Sequence, residues 1–252
     1  MAVSVVFFDV GNTLITPLIP EEQSIARFAA NHGYQLDEAE VQKKIAVMYE
    51  YYERAYSDDS SFWGDSDRVR KIWIDMYRFI SKSLGITEIS DLLAEEIYSY
   101  YFSPEAWEPF ADVLPTLEAL KAEDLRLGTI SNWDGTLSSI LEGIGLAPYF
   151  DEIISSTDVG LHKPQADIFE LACVRLGVSP HDALHIGDHI SADALGAQAV
   201  GMKGILLDRE DRYPDFDDAP RLKSLRDLPT LIDGFNNGFC SACASGQLIK
   251  GM

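Results

Sequence analysis

From residue 114 to residue 207, short apolar runs alternate with segments of helical periodicity, and no other feature constrains the fold of this chain as much. The runs at 125–130, 152–155, 183–186 and 204–207 are strand-length and bounded by turn formers, whereas 114–122, 136–144, 166–176 and 192–200 read as helices. Strands and helices that alternate in this way build a parallel sheet with crossover helices. The fold class is therefore α/β, with a doubly wound, Rossmann-like parallel sheet. A further apolar run, Val5, Val6, Phe7 and Phe8, joins that sheet from the beginning of the chain, and its lack of polar positions is the pattern of a strand covered on both faces.

A different kind of sequence separates this first run from the alternation. Residues 11–20 are rich in turn formers and contain Pro17 and Pro20, so the first strand leads into a loop. From 21 to 102 the periodicity is helical: Val41, Ile45, Met48 and Tyr52 form one stripe, and Ile72, Met76, Phe79 and Ile80 another. This stretch is predicted to form about four helices, with 103–109 as the return linker because Pro104 and Pro109 interrupt any helix there. The domain reading is a core of 1–16 and 106–230, a helical insertion of 17–105 and an irregular tail of 231–252.

The chain has 252 residues and a formal charge of −21, which argues against a nucleic-acid backbone or an anionic membrane as partner, since either needs a basic face. No apolar run reaches the ~20 residues that span a bilayer, and no basic, apolar, cleavable leader precedes the first strand. The expected location is cytoplasmic. Three cysteines fit a reducing compartment: Cys173 on a predicted helix, and Cys240 with Cys243 as a lone CxxC in the tail, without a second ligand pair for zinc.

The chemistry is concentrated where strands end. Asp9 follows the first run; Ser131 and Asn132 follow the run at 125–130; Lys163 precedes Pro164 and a helix; Asp188 follows the run at 183–186, with Asp193 five residues later. In an open parallel sheet, all of these converge on the carboxyl edge, where ligands bind. Asp9 and Asp188 offer the hard oxygens that Mg²⁺ takes together with waters and substrate phosphate, the backbone at Gly11 can add a carbonyl, and Asp193 stands behind them. Ser131 and Asn132 can donate to phosphoryl oxygens, and Lys163 offsets negative charge on nucleophile and substrate.

These motifs resemble those of the haloacid dehalogenase (HAD) superfamily of hydrolases, in the type with a helical cap inserted after the first strand. The resemblance is carried by Asp9 to Thr13, by Ser131 with Asn132, by Lys163, and by Gly187, Asp188 and Asp193, in order and spacing. It implies attack by Asp9 on phosphorus, an aspartyl-phosphate intermediate, Mg²⁺ held by Asp9, Gly11, Asp188 and Asp193, and a phosphoryl site formed by Gly11, Thr13, Ser131, Asn132 and Lys163. The implied substrate is a small phosphorylated molecule.

The first motif departs from the family pattern. The superfamily's phosphatases carry an Asp two residues after the nucleophile, which protonates the leaving oxygen and then activates water; here that residue is Gly11, with Asn12 where the family has Gly. Loss of such a group is worth ~10²–10⁴-fold in rate. Three replacements present themselves: a leaving group acidic enough to need no proton, His189 beside Asp188, or a cap lysine such as Lys43 or Lys44. A phosphate-binding or interaction role on an impaired scaffold, haloacid dehalogenation and phosphonate cleavage are the rival functions. Asp134 reads as a helix N-cap or a contact to the cap, and His162 and His185 as ordinary loop and strand residues. Tyr49, Tyr52, Tyr56, Tyr98, Tyr101 and Phe102 read as helical core.

Overall fold

A computed structural model describes residues 2–238, so Cys240 and Cys243 lie outside the described residues. In chain order the strands are β1 (Val5–Phe8), β2 (Ile15–Pro17), β3 (Trp107–Pro109), β4 (Arg126–Ser131), β5 (Glu152–Ser155), β6 (Ala183–Gly187), β7 (Lys203–Leu207) and β8 (Arg221–Leu222). Six of them form one sheet in the order β5-β4-β1-β6-β7-β8, with every adjacent pair parallel.

β1 is central and entirely buried. Its side chains alternate between two cores: Val6 and Phe8 join the cluster on one face of the sheet, Val5 and Phe7 the cluster on the other. Two-sided burial is thus why the run carries no polar residue. The chain steps from β1 to β4 and β5 on one side, then returns to build β6, β7 and β8 on the other. That reversal opens a crevice at the carboxyl end of β1, and Asp9 stands in it.

Between β2 and β3 lie four helices, α1 (Glu21–Asn31), α2 (Glu38–Asp58), α3 (Ser66–Ser83) and α4 (Ser90–Tyr101). Asp37 and Asp65 cap α2 and α3 by accepting backbone N–H groups of their first turns. Val41, Ile45, Met48, Met76 and Ile80 meet in a separate helical core, as their spacing predicts. Phe79, placed in the same stripe by the sequence, is instead exposed. The remaining helices are α5 (Val113–Ala122), α6 (Leu137–Gly143), α7 (Ser156–Val159), α8 (Ala166–Arg175), α9 (Gly196–Ala199) and α10 (Leu228–Asn236). None of the described helices is long and apolar enough to cross a membrane.

Three segments differ from their sequence reading. Residues 107–109, expected as linker, form β3, which pairs antiparallel with β2 in the register Ile15↔Pro109, Thr16↔Glu108, Pro17↔Trp107. A two-stranded ribbon has two free edges, and there a proline costs no ladder bond. The helix expected over 192–200 is a π-helical segment, Ile190–Leu195, that runs into α9. The tail does not become irregular at 231: α10 continues to Asn236, burying Leu228 and Ile232. Leu228, Leu231, Ile232 and Phe235 keep helical spacing there, and Pro229 sits in the first turn, where its missing N–H has no partner to lose.

Candidate active site

After β1 the chain turns sharply, with the N–H groups of Thr13, Leu14 and Ile15 all converging on the carbonyl of Val10. Asn12 takes the left-handed conformation that this turn requires, at φ 55°. Asparagine is among the few side chains that tolerate it, which accounts for Asn12 where the family motif has glycine. Gly11 is not left-handed. A Cβ added at Gly11 would lie 3.2 Å from Cζ3 of Trp133, so an indole, not backbone conformation, keeps this position small.

Asp9 is held from two sides through one oxygen. Its Oδ1 accepts from Ser131 Oγ at 3.0 Å and from Lys163 Nζ at 2.7 Å, whereas no side-chain hydrogen bond among the described residues falls on Oδ2. Lys163, 2% exposed, also donates to Oδ1 of Asp193. Asp193 accepts from His185 Nε2 at 2.9 Å through the same oxygen, and its Oδ2 accepts the backbone N–H of His189 at 2.9 Å. Both oxygens of Asp193 are thus engaged, which makes it the anchor of Lys163. Burial alone would lower the Lys163 pKa, but the Asp193 and Asp9 carboxylates override it and raise the value. Burial likewise opposes ionisation of Asp193, yet Lys163 and His185 hold its carboxyl below the usual range.

Asp188 completes a carboxylate cluster: Asp9, Asp188 and Asp193 each bring one ligand atom within 4.8 Å of the others. Burial, then Asp9 and Asp193, push the Asp188 carboxyl up from its ordinary 3.8 to about 8. A donor set of hard oxygens whose mutual repulsion holds a proton on one member at neutral pH fits a divalent cation, which would replace that proton. Between about 3.8 and about 8 the folded chain holds a proton at Asp188 that the unfolded chain has lost. Stability therefore falls as pH rises through that window. In urea titrations with EDTA, Asp188→Asn is expected to reduce this fall, and Mg²⁺ is expected to counteract it in the wild type only. A fall that persists unchanged in Asp188→Asn would refute the assignment.

Asn132 does not point a free side chain at the crevice. Its Oδ1 accepts the N–H of Lys163 at 2.8 Å and its Nδ2 donates to the Lys163 carbonyl at 3.1 Å, so it clamps the lysine's peptide. Thr13 Oγ1 is buried without a hydrogen-bond partner among the described residues. His189, a candidate proton donor by position, caps the π-helical segment: Nδ1 accepts the Ala192 N–H at 3.1 Å. Lys43 and Lys44 lie about 18 Å or more along α2 from Tyr56, the α2 residue that reaches the site.

The model of the haloacid dehalogenase-like hydrolases matches residues 3–201. The chain belongs to this family. It is a hydrolase. Over 239 residues, 90% of this chain and 95% of the relative, the hydrolase is 33% identical to haloacid dehalogenase-like hydrolase domain-containing protein 3 of Danio rerio. It is 27% identical to ribulose-1,5-bisphosphate 5-phosphatase of Halopiger xanaduensis, with 90% and 94% covered. A HAD phosphatase from Thermococcus onnurineus superposes with a TM-score of 0.62 at 28% identity, covering 93% of this chain and 99% of that one. The setting is therefore a family of HAD-like phosphatases.

In this hydrolase the helical insertion reaches the crevice through residues that periodicity assigned to core. The Tyr56 hydroxyl donates to the Lys163 carbonyl at 3.2 Å, and Tyr98 donates to Asp134 Oδ2 at 2.9 Å. Asp134 also accepts from the Thr136 N–H, so it serves both its turn and the contact to α4. Gly187 makes room for an acid, since a Cβ there would lie 2.2 Å from Cγ of Asp193. Gly187→Ala is expected to displace Asp193 and cost about 1–3 kcal/mol, read from urea unfolding; an unchanged midpoint would show that Asp193 can move freely.

Proposed function

We propose that this hydrolase is a Mg²⁺-dependent phosphatase of a small phosphorylated molecule, acting through a phosphoryl group on Asp9. The supporting observation is the asymmetric hold on Asp9: Ser131 and Lys163 occupy Oδ1, which leaves Oδ2 to attack phosphorus. As the Oδ2–P bond forms, the P–O bond to the leaving group breaks and its electron pair departs with that oxygen. Water then attacks the aspartyl phosphorus, returning the Asp9 carboxylate and releasing phosphate. Lys163 offsets the negative charge gathered by nucleophile and phosphoryl group, and Asn132 keeps that lysine in place through its backbone. Asp9 and Asp188 would hold the cation, with the Gly11 carbonyl available beside them; when bound it supplies charge neutralisation at the phosphoryl oxygens.

The names of relatives point the same way, since one of them is a phosphatase of a phosphorylated sugar. Haloacid dehalogenation is the weaker reading: Asp188, crowded against Asp9, has no role there. The test is phosphate release from acyl, aryl and alkyl phosphates with Mg²⁺, beside trapping by beryllium fluoride. Release that depends on Asp9 and a raised melting temperature with the fluoride support the proposal. Chloride release from a haloacid in EDTA, without phosphate release from any ester, overturns it.

A further inference from the structure

We infer that the group esterified to the phosphate is a flat aromatic or enolic one with an acidic hydroxyl, and that Trp133 is the surface it stacks on. This rests on the phosphatase reading above and adds the substrate class. The first observation is at position 11, where the space a general acid would occupy is taken by the six-membered ring of Trp133, 3.2 Å from the Cβ position. Apart from Gly11 and its chain neighbours, no other heavy atom of the described residues lies within 4 Å of that position. Trp133 is held there: its backbone N–H donates to Ser156 Oγ at 3.1 Å, its Nε1 donates to Thr136 Oγ1 at 3.3 Å, and Phe102 and Trp107 pack against its ring at 6.2 and 5.3 Å. It also follows Ser131 and Asn132 directly, so the indole and the residues that organise the nucleophile sit on one loop.

The second observation is that Asp134 and Tyr56 already have partners. Asp134 accepts from Thr136 and Tyr98, and the Tyr56 hydroxyl donates to the Lys163 carbonyl. A leaving group that meets no acid departs as its anion. For an alkoxide, with a conjugate acid near ~16, this is far harder than for a phenolate near ~10.

The third observation is the aromatic packing beyond Trp133. Phe102 stacks on Tyr98 with centroids 4.1 Å apart and contacts Trp73 at 6.4 Å; Trp73 meets Tyr52 at 5.8 Å, and Tyr52 meets Tyr56 at 6.2 Å. Aromatic rings thus run from the loop of Ser131 across the helical unit to the peptide of Lys163. A planar π-system finds offset or edge-on partners among such rings.

The experiment compares kcat/KM with Mg²⁺ for phenyl and substituted phenyl phosphates, a three-carbon alkyl phosphate and acetyl phosphate. Aryl esters are expected to exceed the alkyl ester by ~10²–10⁴-fold and to rise steeply with leaving-group acidity. Trp133→Leu is expected to lower the aryl-to-acetyl ratio about tenfold, whereas Gly11→Asp combined with Trp133→Ala raises alkyl turnover, which Gly11→Asp alone does not. Equal rates on aryl and alkyl esters, or an aryl-to-acetyl ratio unmoved by Trp133→Leu in a protein of unchanged melting profile, would overturn the inference. Asp9-dependent cleavage of acetyl phosphate with no aryl preference would sink this inference alone; no Asp9-dependent release from any of the panel would sink the phosphatase reading itself.

Discussion

Asp9→Asn is expected to reduce phosphate release at least ~10⁴-fold while the protein stays folded. The neutral amide keeps a carbonyl oxygen that can accept from Ser131 and Lys163, the two groups that meet Oδ1 in the wild type. What it loses is the anionic oxygen that attacks phosphorus. The fold should tolerate the change because Lys163 retains its second carboxylate, Asp193. A further consequence follows for Asp188, whose raised pKa owes part of its elevation to the Asp9 charge. With that charge removed, the Asp188 carboxyl should titrate at lower pH, visible as a narrower window of pH-dependent stability. Phosphate release assayed with Mg²⁺, with circular dichroism on the same samples, checks the first expectation. Substantial activity in the variant would mean that another nucleophile acts and would remove the mechanism.

Lys163→Ala is expected to have the largest effect on stability, about 3–5 kcal/mol, because it removes the buried cation that Asp9 and Asp193 share. Lys163 lies between Asp9 and Asp193, with side-chain exposures of 2%, 10% and 2%. Removing the ammonium leaves those two carboxylates facing each other and Asp188 across less than 4.8 Å. Some of the loss should return with Mg²⁺, which substitutes positive charge near Asp9 and Asp188, and some at low pH, where the acids are neutralised. Activity should not return with either, since the group that offsets phosphoryl charge is gone. Urea unfolding at two pH values, with and without Mg²⁺, separates these contributions. A variant as stable as the wild type would mean that water enters and solvates the acids, and that the pairs of Lys163 contribute little.

Much of the site could be read from the chain because each of its parts is tied to a local signal. A continuous apolar run ending in a carboxylate, the pair Ser131 and Asn132 at the end of another run, Lys163 before a helix, and Gly187, Asp188 and Asp193 in fixed spacing are short patterns. The parallel topology then brings their ends together, since every strand carries its polar residues at the same carboxyl edge. The misread segments lack such signals. β3 is three residues long and holds a proline, so its pairing with β2 depends on a partner ninety residues away in sequence rather than on its own composition. The stripe of α10 is interrupted by Pro229 and Gly234, and only its packing on the core makes it stable.

The aromatic residues of the helical unit show where pattern stops being informative. Tyr52, Tyr56, Tyr98 and Phe102 have the helical spacing of core residues; Tyr101, read the same way, is buried in that core, whereas Tyr49 is exposed. The same spacing nevertheless carries Tyr56 to the peptide of Lys163 and Tyr98 to Asp134. Periodicity reports which face of a helix is apolar; it says nothing of whether the opposing surface is another helix or a loop that bears a nucleophile.

By itself, the sequence determined the α/β class, the helical insertion and the identity of the acids and the lysine at the strand ends, because strand burial and motif spacing are properties of short segments. Tertiary structure alone decided that Asp193 anchors Lys163 with both its oxygens, that Asn132 grips a backbone, and that Asn12 turns left-handed. It also decided the meaning of Gly11. A missing acid in the sequence becomes an indole against the vacant Cβ position in the fold, since only close packing between residues far apart in the chain can fill the space one side chain gives up.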